Sequence, residues 1–559
     1  MTNVEVQMAS DDPTRPIHSS DAKLEKTDSC LREPVTDHEQ NDNVSIVQSH
    51  YELKPPMEAS KKFTDPRYFA DNPKREYAYI LSTLLSQVFT QAAANCTLPM
   101  LDILADYFNS TDAERTWFMS SFSLAQGTLI LMSGRIGDIY GLRITVLCGY
   151  VWSLIWSILA GISSYAETAT FFIVCRAMIG AGLAFVLPNA MGAAGRVYRP
   201  GTRRKHMIFS LIGLSAPVGG SSAPIISGLI AEESTQWEWE FYHYGIALAV
   251  AFVLGWYSIP YITPHRVEDP EVDVDWIGCA MGVSGMVLLN FVWNQAPNVG
   301  WNSPYIIALL VVSIVDLAIF FWYEANIPRN PLLPKQITKD LIMMLTLLIL
   351  MLSWGSFGIL FYRFFIFVLD LRHYNPLEAG ACLWPTIPSG MTAAMVCGWL
   401  ISRIRAQFLL VFSMAVFFCS DVMLLRMPVD QIYWQISFGL WTLGVWGMDW
   451  SFPAGSIILS DELPPHLQGM AGSLLTTMVM YGQSLFVGIS ATIESQIAKQ
   501  NPGNTLAVHH ACSYFAMGLS GSAFIISIVV AYLTLRKAGK RDSRSVSTDE
   551  ESLHSKTQQ

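Results

Sequence analysis

Apolar residues fill most of this chain in unbroken stretches of about 18 or more, with neither the alternation of a half-buried strand nor the polar stripe of a surface helix. The stretches predict helices over 77–100, 115–134, 144–164, 169–195, 207–231, 244–262, 276–294, 304–323, 340–360, 377–400, 407–426, 432–458, 469–493 and 510–535. A bilayer crossing needs about 20 such residues, so the chain reads as an all-α polytopic membrane protein with about 14 transmembrane spans. A transmembrane β-barrel would alternate polar and apolar positions in segments of about ten, and that pattern is missing.

Composition agrees. Of the 559 residues, 52% are hydrophobic and 14% charged, against about 25% charged in soluble domains. The charges crowd into residues 1–76 and 536–559. The first of these is rich in Asp, Glu, Ser, Thr, Gln and Pro and cannot bury enough surface to offset ordering entropy, so it reads as a disordered tail. It contains no signal-peptide core, and the first span is expected to direct insertion. The last segment, from Arg536, reads as a solvated tail whose hydroxyls could accept phosphate. A net charge of −10 leaves no footprint for nucleic acid. The nine cysteines form no CxxC pair and mostly lie within apolar runs, which predicts no disulfide framework and no metal site.

Lys and Arg gather on alternate loops. One side collects Arg135, Arg143, the cluster Arg196, Arg199, Arg203, Arg204 and Lys205, then Arg403, Arg405, Arg536, Lys537, Lys540, Arg541 and Arg544. The other has only Arg115, Arg363, Arg372, Arg426 and Lys499. Positive loops stay inside, so both termini are predicted to be cytoplasmic. Asn109-Ser110-Thr111 then faces outward and fits the glycosylation pattern at Asn109.

Two basic turns opened by glycine recur, Gly134-Arg135-Ile136-Gly137-Asp138-Ile139-Tyr140-Gly141-Leu142-Arg143 after the second span and Gly398-Trp399-Leu400-Ile401-Ser402-Arg403-Ile404-Arg405 after the tenth. Two six-helix halves on one plan would produce this, as transporters do. The first turn, through Gly134, Asp138, Gly141 and Arg143, resembles the loop between spans two and three of the major facilitator superfamily. The resemblance implies that these residues gate the two halves; a plain topogenic basic loop is the other reading. In the fourth span Arg176-Ala177-Met178-Ile179-Gly180-Ala181-Gly182-Leu183-Ala184 resembles the family's R-x-x-x-G-x-G-x-A signature, which implies a part for Arg176 in proton coupling. A lone intramembrane Arg is costly and suggests function by default, although it can also hydrogen-bond neighbouring helices together. In the fifth span Gly219, Pro224 and Gly228 match the antiporter pattern G-x-x-x-G-P-x-x-G-G, implying a bend at the interface between halves.

The Trp237-Glu238-Trp239-Glu240-Phe241-Tyr242, Val274-Asp275-Trp276-Ile277-Gly278 and Asn330-Pro331-Leu332-Leu333-Pro334 stretches are similar to those of the fourteen-span drug:proton antiporter branch, and the Trp-Glu-Trp form to its fungal aminotriazole-resistance and boron-efflux-like subgroup. This resemblance implies a cytoplasmic tail (1–76), an N-terminal six-helix bundle (77–262), an extra helix pair with linkers (263–339), a C-terminal six-helix bundle (340–535) and a second cytoplasmic tail (536–559). The branch carries an acid in its first span, and here that position is Thr90. Coupling must then use another carboxylate or be absent. Among Asp316, Asp421 and Asp449, Asp449 is the candidate, because the twelfth span should line the cavity and Trp446 and Trp450 flank it. Gln91, Asn95, Gln126, Asn189 and Gln483 are polar cavity candidates, each equally able to bridge helices, and Trp384 offers a stacking surface.

The function expected is proton-coupled efflux of small toxic compounds or drugs by alternating access, carried out by a monomer in the lipid bilayer. The partners are a small-molecule substrate and protons, and no cofactor is involved. The membrane is the plasma membrane, with the vacuolar membrane as the alternative. A permease or exporter of a small inorganic solute such as borate or ammonium is the second reading, and a non-transporting membrane sensor is the rival of another class. An enzyme is not expected: P-loop, H-E-x-x-H and paired catalytic acids are missing, and no nucleophile elbow stands in a favourable context.

Overall fold

The computed structural model describes residues 66–69, 72–166, 168–198, 202–234, 236–264, 267, 273–328, 332, 339–401, 403–461 and 468–557. The expected disordered tail therefore lies almost wholly outside the described residues. So do Arg199, the Asn330–Pro334 stretch apart from Leu332, and the side chains of Arg203, Lys540, Arg541 and Arg544.

Fourteen long helices follow one another: α1 Pro73–Asn95, α2 Asp112–Tyr140, α3 Leu142–Ile162, α4 Ala169–Val197, α5 Arg203–Ser234, α6 Glu238–Ser258, α7 Trp276–Val299, α8 Pro304–Asn326, α9 Leu341–Ile366, α10 Thr386–Leu400, α11 Ala406–Leu425, α12 Ile436–Asp461, α13 Gln468–Gln500 and α14 Thr505–Thr557. No strand occurs among the described residues. Each expected span overlaps one of these long helices, and local chemistry sets many of the starts. The Asn72 side chain accepts from the Arg75 amide ahead of α1, a Thr111–Glu114 capping box opens α2, and Asp340 caps α9. Asp275 accepts from the Gly278 amide at 2.9 Å, so the Val274–Gly278 stretch is the N-cap of α7.

Several boundaries differ from the apolar pattern. Residues 134–140 are the last two turns of α2, and the turn shrinks to Gly141, whose φ of 121° suits a residue without Cβ. Helix α6 begins at Glu238, because Trp237 and Phe241 pack edge-on against Phe172 and draw the acidic turn into the bundle. The tenth stretch is broken into a short helix, Pro376–Ala381, and α10, since Pro385 has no N–H to continue the ladder. Helix α14 continues to Thr557, past the expected end of its span and through the expected tail.

Ten of the helices are long and apolar enough to cross a membrane; α1, α2, α10 and α12 are not among them. The break before α10 leaves it short. Helices α1, α2 and α12 carry Thr83, Ser86 and Thr90, Ser120, Ser121 and Gln126, and Ser451, all buried against neighbouring helices rather than turned to lipid. A polar helix is tolerated in a bilayer when protein shields its polar face.

The packing repeats itself. In the first half α1 packs on α5 and α6, α2 on α4, α3 on α4 and α6; in the second, α9 packs on α13 and α14, α10 on α12, α11 on α12 and α14. Adding eight to each helix number converts one set into the other. The contacts between halves obey the same rule: α2 meets α13, and α5 meets α10. Helices α7 and α8 pack on each other, and α7 also lies against both α2 and α13.

Candidate transport site and its gates

The halves touch at two ends of the bundle. At the end carrying Asn109, Arg115 of α2 pairs with Asp102 and reaches Asp370 of the second half at 3.4 Å. Nearby, Asn375 donates to Glu232 of α5 at 3.3 Å, and Ser221 of α5 bonds Thr386 of α10. Gly228 lies so close to the Pro376 backbone, and Gly380 to the Pro224 backbone, that neither site admits a Cβ without movement. Two of the three antiporter-pattern residues therefore sit on the seam between halves. The third, Gly219, packs against the Val88 backbone of α1. Pro224 cannot donate to the carbonyl of Gly220 four residues earlier, and the Asn95 amide from α1 fills that vacancy at 3.2 Å. Asn95 and Gln91 both face Gly220.

From the middle of α2 to its opposite end, α2 and α13 meet through glycines. A methyl group on Gly134 would lie 2.8 Å from Ser473 Oγ, and one on Gly127 2.7 Å from the Tyr481 nitrogen. Asp138 stands in the last turn of α2, where the helix dipole disfavours an acid. Arg196, at the end of α4, answers it at 2.6 Å. Arg143 instead donates to the Trp256 carbonyl at the C-terminus of α6, at 2.7 Å. Within the first half Arg196 holds Asp138 and the Trp256 carbonyl holds Arg143, while Gly134 meets the second half at Ser473.

Arg176 is wholly buried on α4. Its Nε donates to the Phe118 carbonyl at 3.2 Å, Nη1 reaches Cys96 Sγ at 3.7 Å, and the guanidinium lies 5.2 Å above the Phe122 ring. Nη2 has no hydrogen-bond partner. The signature glycines explain the fit: Gly180 lies against the Phe122 backbone and Gly182 against the carbonyl of Gly149, pulling α4 onto α2 and α3. Thr90, standing where the family has an acid, is buried and bonds its own helix through the Ser86 carbonyl at 2.7 Å.

Asp449 sits where α12, α10 and α5 meet: a Cβ on Gly390 would lie 3.0 Å from Asp449 Oδ2 and 2.8 Å from Pro217. Oδ2 has no hydrogen-bond partner, and Pro453 cannot donate to the Asp449 carbonyl. Trp446 and Trp450 lie 5.6 Å apart with tilted rings, but their indoles donate to Ser389 and to the Ala393 carbonyl, so they fasten α12 to α10 rather than face an opening. Asp421 accepts from Ser356 and from Ser520 at 2.5 Å, and Asp316 from Ser284 at 2.5 Å. Both acids join helices.

The remaining candidates do not converge. Asn189 donates to the Phe185 and Ser133 carbonyls, holding α4 on α2. Gln126 is buried with neither amide atom bonded. Gln483 lies on α13 against Gly358 of α9. Trp384 is 44% exposed and packs with Trp434 and Phe438 ahead of α10, in the second half, whereas Arg176 is buried in the first. Asn109 is itself exposed.

Three features escaped the sequence reading. Glu240, in the first turn of α6, is buried and within electrostatic reach of Arg176. Arg363 of α9, also buried, pairs with Glu494 of α13 at 2.8 Å. Asn290 and Asn294 of α7 are buried and bonded to α2 and α13. An acidic turn beside Trp reads as loop, and asparagines in an apolar run give no signal of their partners.

Comparison with known proteins fits this architecture. The Major Facilitator Superfamily matches residues 83–487. The aminotriazole resistance protein of Saccharomyces cerevisiae is 40% identical over 498 residues, covering 88% of this chain and 91% of that protein. The low affinity ammonium transporter of the same yeast is 38% identical over 477 residues, covering 84% and 91%. Among solved structures, the peptide transporter POT in complex with sulfate superposes with a TM-score of 0.58 at 14% identity, covering 82% of this chain and 94% of that one. Motifs, repeated helix packing and relatives agree: the chain belongs to the Major Facilitator Superfamily.

Proposed function

We propose that the protein exports small toxic organic compounds in exchange for protons, the halves 77–262 and 340–535 rocking between inward-open and outward-open states. The observation that carries this reading is Asp449. It is an acid with an unpartnered oxygen at the junction of α5, α10 and α12, beside the proline-bent helix that links the halves. A carboxylate so placed binds either a proton or a cationic solute, and that competition couples the two. Arg176 sets the charge balance of the first half. The aminotriazole resistance relative supports a toxic organic substrate. In this reading the Asn109 end faces outward with a glycan on Asn109, both termini are cytoplasmic, and the monomer works in the plasma membrane.

Flux in proteoliposomes under an imposed proton gradient tests the proposal, using ethidium, borate and ammonium and comparing wild type with Asp449→Asn and Arg176→Ala. Gradient-driven movement of ethidium, lost in both variants, is expected. Flux of every solute without need of a gradient would refute proton coupling. The ammonium-transporter relative favours one second reading, a carrier of a small inorganic solute, for which ammonium alone would move.

A further inference from the structure

The first half contains a buried acid that the transport reading does not use, Glu240, which lies within electrostatic reach of Arg176. Glu240 is 2% exposed, Arg176 is fully buried, and each keeps one side-chain atom, Oε2 and Nη2, without a hydrogen bond. A buried carboxylate and guanidinium left partly unsatisfied are costly, and such intramembrane charges are kept mostly for function. Arg176 also reaches Cys96, one residue after α1, while Thr90 of α1 is bonded within its own helix.

We propose that Glu240 is a proton-carrying carboxylate of this transporter, with Arg176 as the group that positions and discharges it. This inference rests on the proton-coupled reading above. With the proton on Glu240 the carboxyl is neutral, and Arg176 is held by the Phe118 carbonyl and the Phe122 ring. When the proton leaves to water, the nearby positive charge of Arg176 stabilises the carboxylate that remains. The proton is the only species transferred, and no bond between heavy atoms changes.

The surroundings suit that exchange. From α4 comes Arg176 and from the end of α1 Cys96, both within electrostatic reach of Glu240, while Tyr150 of α3, whose hydroxyl has no partner, lies near Tyr244. From α6 itself come Tyr244, which donates to the Phe89 carbonyl at 2.7 Å, and His243, whose Nδ1 lies 3.4 Å from Glu240 Oε2. Helix α5 turns Glu232 toward Asn375 instead. Half-exposed His243 is the one of these groups placed to pass a proton between water and Glu240.

The test uses the full chain in lipid. Infrared difference spectra between acid and alkaline pH should contain a carboxylic C=O band that Glu240→Gln removes, Glu240→Asp shifts in frequency and Asp449→Asn leaves in place. Arg176→Ala should displace the pH at which the band appears. A spectrum unchanged in Glu240→Gln, or a wild type with no carboxyl titration, overturns the proposal, and Glu240→Asp keeps it testable if the glutamine variant does not fold. Gradient-driven ethidium and ammonium flux, measured on the same samples, separates the two levels. A Glu240 band without coupled flux sinks the transport reading and leaves Glu240 a titrating acid with nothing to couple, whereas coupled flux that survives in Glu240→Gln sinks this inference alone.

Discussion

Ser484 of α13 donates a hydrogen bond to the backbone oxygen of Ser120 on α2, 2.9 Å away and 364 residues distant in sequence. The contact joins the two halves directly, and the extra helix α7 covers it. Ser120 Oγ donates to Asn294 Oδ1 at 3.0 Å, Asn294 donates to Asn290 Oδ1 at 2.8 Å, and Ser484 also approaches Asn290 Oδ1 at 3.2 Å. The fully buried asparagines make α7 a third member of the joint between halves.

Asn294→Leu should therefore destabilise the protein by about 1–3 kcal/mol, because the buried Ser120 hydroxyl loses its acceptor and Asn290 loses one of its two donors. Ser484→Ala should cost about 1 kcal/mol, the net value of a typical hydrogen bond. Thermal unfolding in detergent reads both. Equal transition temperatures for wild type and Asn294→Leu would mean the network holds nothing.

Gly127 and Gly213 should respond oppositely to alanine. A Cβ on Gly127 meets the Tyr481 backbone nitrogen at 2.7 Å, so α2 and α13 must separate at a cost of about 1–3 kcal/mol. Gly213 has no atom within 4 Å of that position, and alanine there should stabilise α5 by about 0.5–1 kcal/mol. Unfolding midpoints of the two variants should fall on either side of wild type.

The Asp138–Arg196 pair is partly exposed, with side chains 41% and 34% accessible, so its loss should cost under about 1 kcal/mol. Its effect should appear in turnover instead, because it fixes the end of α2 where Gly134 meets Ser473. Asp138→Asn should slow transport with little change in unfolding temperature, and the swapped pair Asp138→Arg with Arg196→Asp should recover part of the rate. A swap as slow as the single variant would argue against a pairwise role.

Thr90→Val should leave transport and stability within about 1 kcal/mol of wild type, since the hydroxyl serves only its own helix. Loss of flux in this variant would return the coupling site to the first span.

The fold was largely legible because a bilayer demands long apolar helices, and the pattern placed each of the fourteen. Boundaries failed where tertiary contacts outweigh hydropathy: at Glu238 and Glu240, drawn inward by Trp237, Phe241 and Phe172, and at residues 134–140, which stay helical up to the glycine that ends them. Site residues were legible as types more than as partners. The sequence singled out Arg176 and Asp138, but their neighbours Glu240 and Arg196 lie on other helices, and only folding decides which basic residue of the cluster at 196–205 meets Asp138. Trp384, chosen for its ring, belongs to an exposed aromatic group with Trp434.

The bond from Asn95 to the Gly220 carbonyl makes two distant positions answerable to each other. Pro224 opens the acceptor and Asn95 occupies it, so changing either alone leaves a buried group orphaned, whereas losing both restores an ordinary helix. Lineages of this transporter are then free to keep the pair or to discard it, but every path between those two states passes through a weakened intermediate. A suppressor screen begun from Asn95→Leu should accordingly return replacements of Pro224 by residues that supply the missing N–H.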